Sequence, residues 1–195
     1  MSAALQQREI RREHSRAATR ASILEAARRV AARGSAHGLS LRAVAAEAGF
    51  APAALYGYFG NKDELLLALA AEDLATLTRA MRESASVPGG GKLAATAEAA
   101  LSLLQNTETL AAAVSALPGG KGEAERIFNG KLIAALTTLS EVSGKPASAR
   151  SEQAEIVLMA ASLAGLALFL RSGRLQALGF SGADMIEALG RRFSG

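Results

Sequence analysis

The sequence predicts an all-α protein, and three observations support this fold class. Half of the 195 residues are apolar while only 4% are aromatic, so the core must come largely from Ala and Leu, which are strong helix formers. Apolar residues recur at helical spacing, and no segment shows the strict alternation of a half-buried strand. Glycine-rich breaks at 88–91 and 118–120 divide the pattern into consecutive helices.

The first predicted helix lies behind a polar, arginine-rich segment. Residues 1–16 carry no apolar stripe, so we predict a basic flexible arm there. A helix follows from about Thr19 to Arg33, because small and branched apolar residues repeat every three to four positions until Gly34.

Two short helices and a long one come next. Ser40 is a good N-cap for a helix that runs to about Ala48, and Gly49 then provides a turn. A third helix begins near Pro52, which suits a first helical position because it has no N–H to satisfy. Asn61 caps a fourth helix that reaches about residue 84, and Glu64 completes a capping box.

The rest of the chain is also predicted to be helical, and one of its helices is unusual. The patterns cover about 92–116, 122–142, 148–172 and 182–193. In the third of these, Ile156–Leu170 is apolar nearly all round, so it must be covered on both sides. A helix at a subunit interface and the central helix of a monomeric bundle both meet this condition.

Composition excludes several classes of function. Without cysteine there is no disulfide, thiolate metal site or cysteine nucleophile. His14 and His37 lack partners at metal-ligand spacing, and no Ser–His–Asp set or carboxylate pair supports an enzyme. The glycine–lysine segments at 89–92 and 119–121 lack the other residues of a phosphate-binding loop. We therefore expect no enzymatic activity, no metal and no cofactor.

No targeting or membrane segment is expected. The arginine-rich N-terminus has no apolar stretch behind it, unlike a signal peptide. The longest apolar run, Ile156–Leu170, has fifteen residues, whereas a bilayer requires about 20. We expect a cytoplasmic protein that does not bind a membrane.

Charge is distributed unevenly along the chain. Residues 1–62 carry a formal charge of +6 and the remainder −2, which together give the net +4. A basic head on a nearly neutral body is expected where one end meets a polyanion, although solvated basic termini are common.

The segment 39–66 is the most informative part of the sequence. Leu55 and Phe59 are four residues apart and can share a buried face. The opposite face then carries small and aromatic side chains beside cations, which suits the major groove of DNA. A plain helical hairpin with two surface tyrosines fits the same residues equally well.

This segment resembles the DNA-binding domain of the TetR family. The matching runs are Ser40-Leu41-Arg42, Ala48-Gly49-Phe50 and Leu55-Tyr56-Gly57-Tyr58-Phe59-Gly60-Asn61-Lys62-Asp63-Glu64-Leu65. The resemblance implies a three-helix DNA-binding domain at 17–77, with its helix-turn-helix at about 40–59. It also implies that 78–195 is a larger helical domain for effector binding and dimerisation.

The resemblance further implies which residues contact DNA. The residues expected to face bases are Arg42, Pro52, Ala53 and Ala54. The residues expected at phosphates are Tyr56, Tyr58 and Lys62, with Thr19 and Ser40 near helix N-termini whose amides can bind the backbone. The family has larger side chains where this chain has Gly57, and a glycine inside a helix costs about 1 kcal/mol relative to Ala.

The mechanism implied is that of a ligand-released repressor. A homodimer binds a pseudo-palindromic operator in double-stranded DNA, and a small-molecule effector in the C-terminal domain moves the fourth helix and favours release. The lining expected for the effector is Met81, Leu101, Leu104, Gln105, Phe128, Asn129 and Leu132, which is mainly aliphatic and favours an apolar ligand. The alternative is a helical ligand-binding or structural dimer without DNA regulation.

Overall fold

The computed structural model describes residues 3–34, 38–87, 91–115, 122–145 and 148–193. Within these ranges the chain is helical and forms no strand, which confirms the predicted all-α class. The helices are α1 (Ala3–Gly34), α2 (Leu41–Ala48), α3 (Pro52–Leu55), α4 (Lys62–Ser86), α5 (Lys92–Leu104), α6 (Glu108–Ser115), α7 (Glu123–Ser143), α8 (Arg150–Arg171), α9 (Arg174–Ala177) and α10 (Gly182–Phe193). His37 and the glycine-rich segments at 88–90 and 118–120 lie outside the described residues.

The chain forms two compact units, Met1–Leu69 and Ala70–Gly195. The division falls inside α4, which is continuous across it. The domain boundary at 77/78 stays a prediction, because the same helix also passes through that position and gives the chain no break there.

The N-terminal unit is a small helical core with α2 packed on both α1 and α3. The large apolar side chains that form this core are almost completely buried: Ile23, Leu24, Leu39, Val44, Leu55, Phe59 and Leu65. Full burial of each such side chain contributes about 1.5–3 kcal/mol. The predicted burial of Leu55 and Phe59 is confirmed.

The predicted start of the first helix is wrong. Helix α1 begins at Ala3 rather than at about Thr19, so the predicted flexible arm is helical from that residue onwards. The described side chains of residues 5–18 are exposed, and there is therefore no apolar stripe to reveal the helix. Its Ala, Leu, Gln, Glu and Arg residues favour a helix through intrinsic propensity alone, a signal that the search for an apolar stripe missed.

The helix predicted at 92–116 is two helices. Residues 105–107 interrupt it and separate α5 from α6. There the Asn106 side-chain amide donates to the Ser102 carbonyl at 2.8 Å, and the Thr107 hydroxyl donates to the Leu103 carbonyl at 2.8 Å. Asn and Thr side chains compete in this way for carbonyls that would otherwise serve the helix ladder.

The C-terminal unit is built around α5 and α8. Helix α5 packs against α7, α8 and α10, and α8 also packs against α7, α9 and α10. The buried face of α8 consists of Ile156, Met159, Leu163 and Ala167. Helices α7, α8 and α10 confirm the predicted helices near 122–142, 148–172 and 182–193, whereas the four-residue α9 was not predicted.

Candidate nucleic-acid interface

Helix α2 is fixed at both ends by the residues that the sequence singled out. The Ser40 hydroxyl accepts a hydrogen bond from the Ala43 amide at 3.1 Å. At the other end Gly49 is left-handed, with φ of 74°, and the Phe50 amide donates to the Ala45 carbonyl at 2.9 Å. The amides of Leu41 and Arg42 precede the first intrahelical bond of α2, so they can donate to a phosphate.

Helix α3 presents small side chains to solvent. Pro52 occupies its first turn, and Leu55 anchors it in the core. Pro52, Ala53 and Ala54 are exposed, and Tyr56 is 61% exposed in the turn that follows. A surface of this kind lets a DNA groove approach the backbone closely.

Gly57 is not in the interior of a helix, contrary to expectation. Helix α3 ends at Leu55, and Gly57 lies in the turn that follows, where its amide donates to the Ala54 carbonyl at 3.2 Å. A Cβ at position 57 would lie 3.3 Å from that carbonyl oxygen. The cost of about 1 kcal/mol for a glycine inside a helix therefore does not apply here. A larger residue at position 57 would instead require a small shift to move its Cβ away from the Ala54 carbonyl oxygen.

The turn that follows is closed by the predicted cap of α4. The Asn61 side-chain oxygen accepts from the Glu64 amide at 2.8 Å. The Glu64 carboxylate accepts from the Gly60 amide at 2.8 Å, one residue earlier than a standard capping box would have it. These two bonds fix the path of the chain from the turn into α4, where the half-buried Lys62 is the first residue.

Two arginines of α1 hold the turn after α3 in place. Arg16 donates from its guanidinium to the Gly57 carbonyl at 3.0 Å and lies 5.5 Å from the centroid of the Tyr58 ring. Arg20 lies over Phe59 at 5.2 Å. Sequence reasoning missed both residues, although their spacing of four, opposite a Tyr–Phe pair, was a usable signal for cation–π packing.

Thr19 does not occupy a helix N-terminus. Because α1 begins at Ala3, the amide of Thr19 is in the helix interior, and its hydroxyl donates to the Ser15 carbonyl at 3.0 Å. The reason for predicting a phosphate contact through a helix end is therefore wrong. A direct contact through the half-buried side chain stays a prediction.

Ion pairs neutralise only part of the positive charge of the N-terminal unit. Arg29 and Arg33 both bind the Glu47 carboxylate, and these hydrogen bonds lower the pKa of Glu47. Arg28 pairs with Glu25 at 3.1 Å. Within the described ranges, the arginines that pair with no carboxylate in this unit are Arg8, Arg11, Arg12, Arg16, Arg20 and Arg42.

The residues predicted to bind an effector are divided among different environments. Met81, Leu101 and Phe128 are buried, Leu104, Gln105 and Leu132 are half-buried, and Asn129 is exposed. None of them lines either of two grooves in the C-terminal unit. One groove, of about 300 Å³ between α4 and α7, is lined by Ala75, Thr78, Arg79, Arg82, Glu83, Lys131 and Ala134.

The second groove lies along α8, α9 and α10. Its volume is about 570 Å³, and most of its lining is apolar, including Phe169, Leu178 and Phe180. On α8 itself Val157, Leu158 and Leu168 are also exposed. Within the described residues, α8 is long and apolar enough by length and composition to cross a membrane. That is weak support for a span, because interface and core helices pass the same test.

Comparison with solved structures supports the fold. FadR from Bacillus subtilis, solved in complex with stearoyl-CoA, has a TM-score of 0.62 and 20% identity, over 89% of this chain and 97% of that one. The fatty acid degradation regulator FadR from Bacillus halodurans has a TM-score of 0.61 and 19% identity, over 90% and 94%. PfmR from Thermus thermophilus, a TetR family transcriptional regulator, has 0.56 and 19%, over 76% and 86%.

Comparison by sequence identifies the N-terminal unit. No curated protein matches the chain significantly. Residues 23–69, however, match the family model for bacterial regulatory proteins of the tetR family. The matched range includes the buried core of α1, the whole of α2, the start of α4 and the turn that Arg16 and Arg20 hold. Residues 23–69 therefore form the N-terminal domain of the tetR family of bacterial regulatory proteins, and the chain as a whole has the fold of the transcriptional regulators described above.

Proposed function

We propose that this regulator is a cytoplasmic, ligand-released repressor that binds a pseudo-palindromic operator as a homodimer. The observation that carries the proposal is the surface of α2 and α3. Small exposed side chains at 52–54 lie on a buried core, close in sequence to Arg42, which is exposed and pairs with no carboxylate among the described residues. This combination permits close approach to DNA and supplies one strong hydrogen-bonding group.

The division of labour among the DNA-binding residues follows from their chemistry. Pro52, Ala53 and Ala54 have no hydrogen-bonding side chains, so they distinguish bases only by shape and by contact with the thymine methyl group. Arg42 has a guanidinium that matches the two acceptors of guanine. Phosphates are bound by Tyr56, Tyr58 and Lys62 and by the first-turn amides beside Ser40. These contacts set the register of the protein on the duplex.

Dimerisation is supported by the exposed side of α8. Leu168 and Phe169 are 53% and 43% exposed in the single chain, and Phe169 also lines the apolar groove beside α9 and α10. Monomeric soluble proteins rarely leave a contiguous apolar surface of this kind uncovered. A second copy of the same surface would cover it and would give the two-fold symmetry that a palindromic operator requires.

The effector is proposed to combine an apolar part with an anionic group. Met81, Leu101 and Phe128 are buried and line neither groove; in the proposal they would supply aliphatic and aromatic walls, while Arg79, Arg82 and Lys131 line the groove between α4 and α7. Arg82 is held toward α7 by a hydrogen bond from its Nε to the Thr138 hydroxyl at 3.2 Å. The stearoyl-CoA complex of the Bacillus subtilis protein makes a long-chain acyl-CoA the first compound to test.

Release would follow from a preference of the effector for one conformation. A ligand shifts an equilibrium only by its difference in affinity between the two states. Helix α4 carries Met81 and two of the cationic side chains of the groove, Arg79 and Arg82, and the same helix starts at the capped turn of the DNA-binding unit. An effector that binds better when α4 is displaced therefore favours the state that does not bind DNA.

The test begins with selection of duplexes from a random library by the purified full-length protein. We expect enrichment of one pseudo-palindromic sequence, a protein dimer bound to it, and its release by stearoyl-CoA but not by free coenzyme A at the same concentration. If no sequence is enriched while acyl-CoA still binds, the chain is a helical ligand-binding protein without DNA regulation. Enrichment without release would contradict the proposed effector class and leave DNA recognition intact.

A further inference from the structure

Four arginines of α1 are spaced at intervals of four residues. Arg8, Arg12, Arg16 and Arg20, here called the arginine stripe, all lie within the continuous helix Ala3–Gly34. Residues four apart in an α-helix lie on the same face, about 6 Å from one another along the axis. The stripe is therefore a row of cations that follows one ridge of α1 and turns around the helix by about 40° at each step.

One end of the stripe is fixed on the DNA-binding unit. Arg16 donates to the Gly57 carbonyl and covers the Tyr58 ring, and Arg20 covers Phe59. These contacts turn the arginine-bearing face of α1 toward the turn that follows α3. Because the helix is continuous, Arg12 and Arg8 continue this ridge of cations outward from that turn.

The other end of the stripe has no partner within the chain's described residues. Arg8 and Arg12 are exposed and pair with no carboxylate there. The apolar side chains in this part of α1 contribute nothing to a core, since Leu5 and Ile10 are both exposed. Packing within the described part of the chain therefore does not explain why this segment of α1 points outward. Binding of a polyanion to its arginines would explain it.

We propose that Arg8 and Arg12 bind the sugar–phosphate backbone of duplex DNA beside the base pairs that α3 faces. Charge complementarity and continuity with the turn at 56–58 support this partner. Arg8 is eight residues from Arg16, or about 12 Å along the helix. At 3.4 Å per base pair that length spans about three to four base pairs. The inference rests on the proposed function, because it extends the same interface.

The first experiment measures the salt dependence of binding to a 30-base-pair duplex of mixed sequence, because phosphate contacts do not require an operator. The double substitution R8Q/R12Q is compared with R150Q/R174Q, which removes the same charge from exposed positions of the C-terminal unit. The slope of log K against log salt should become shallower by about 0.9 for each lost phosphate contact. The control should keep the wild-type slope. Equal slopes for R8Q/R12Q and wild type would overturn the inference.

A second variant tests whether the stripe must be helical. His14→Pro keeps every arginine but interrupts α1 between Arg12 and Arg16, because proline removes an amide and clashes with the preceding turn. The unit should still fold, since the described side chains at 5–18 are exposed. Hydroxyl-radical footprinting on the selected operator should show loss of protection at its outer three to four base pairs, with the centre still protected. Unchanged outer protection would overturn the directed helix.

The outcomes separate this inference from the proposed function. A wild-type protein that binds no duplex overturns both. Wild-type binding that R8Q/R12Q leaves unchanged overturns the stripe alone. Vesicles of phosphatidylcholine with 30% phosphatidylglycerol provide the remaining comparison. If the double substitution removes vesicle binding but leaves duplex binding intact, the partner is an anionic membrane and not DNA.

Discussion

The helix-turn-helix and helix α8 differ in how far their large apolar residues are buried within the single chain. Leu55 and Phe59 are at most 2% exposed, so α2, α3 and the start of α4 are complete within one chain. In α8, by contrast, Leu168 and Phe169 are 53% and 43% exposed. The first region hides its apolar residues and shows small or cationic ones, whereas the second shows an apolar surface.

The difference indicates which kind of binding partner each region fits. The N-terminal unit caps the starts of α2 and α4 with its own residues, and its exposed arginines that pair with no carboxylate within the described residues suit a polyanion. The exposed side of α8 carries no comparable charge and suits another apolar surface. The predictions below test this contrast between a self-contained unit and a surface that requires a partner.

The largest expected effect is loss of the aromatic anchor. Phe59→Ala should lower the free energy of unfolding by about 3–5 kcal/mol, because it leaves a cavity in a closed core. The control Tyr56→Ala removes an exposed ring, and its effect should stay within about 0.5 kcal/mol. Urea unfolding followed by circular dichroism measures both. Similar losses for the two variants would mean that the unit is not closed around Phe59.

The next effect concerns the surface that needs a partner. Ala164 is exposed on α8 in the single chain, so Ala164→Arg should leave the fold of the subunit intact. In a dimer it would bury an unpaired charge, and we expect association at least about 100-fold weaker, since each tenfold change is about 1.4 kcal/mol. Sedimentation velocity measures this, with Ala32→Arg on α1 as the matched control. A dimer that survives Ala164→Arg would exclude this part of α8 from the interface.

A smaller effect is expected for base recognition. Arg42→Ala should remove the preference for one guanine in each half-site, at a cost of about 1–3 kcal/mol, and leave the other preferences in place. Lys62→Ala is the companion variant and should weaken binding to all sequences alike. Binding to an operator library separates the two patterns. A profile for Arg42→Ala that only scales down uniformly would place Arg42 on phosphate and the specificity in DNA shape.

Removal of a helix cap should have a still smaller effect. Ser40→Ala leaves the Ala43 amide without its acceptor and should destabilise the N-terminal unit by about 1 kcal/mol. Ser40→Asp should retain most of the stability because Asp is also a good N-cap. Thermal unfolding of the three proteins gives the comparison. An equal loss for Ala and Asp would show that something other than the cap is responsible.

The smallest effect is the acid dependence of the α1–α2 contact. Hydrogen bonds from Arg29 and Arg33 lower the pKa of Glu47 below its usual 4.5. Its stabilising contribution is therefore present above about pH 4.5 and is lost as the pH falls through the lower, folded-state value. Because the carboxylate is solvent-screened, only a slight change is expected. Glu47→Gln should flatten the pH dependence of thermal unfolding in this acidic range, and a wild-type profile in the variant would contradict it.

Much of the helix-turn-helix could be predicted because its signals are local. The Ser40 cap and the Asn61 cap each join atoms three residues apart, and Gly49 supplies its turn alone. Residue types that close hydrogen bonds over three or four positions leave a pattern that can be recognised in one sequence. The spacing of Leu55 and Phe59 identified the buried face for the same reason.

Other features could not be predicted, and each has a specific cause. Helix α1 begins sixteen residues earlier than expected, since its first turns bury nothing and show no apolar periodicity. The break at 105–107 depends on which carbonyls the Asn106 and Thr107 side chains reach. Some of the residues expected around an effector are buried and others are exposed. The mainly aliphatic composition of the region does not show which residues are which.

The sequence by itself determined the helical class, the caps of α2 and α4, and the family of the N-terminal domain. Only the tertiary structure decided that Arg16 meets the Gly57 carbonyl 41 residues away, that Glu47 gathers two arginines of α1, and which side of α8 is left uncovered. Local hydrogen bonds depend on neighbours within one turn of helix, and so they are encoded by short patterns. Contacts between helices depend on which helix faces pack against each other. No short segment of a single sequence specifies which faces these are.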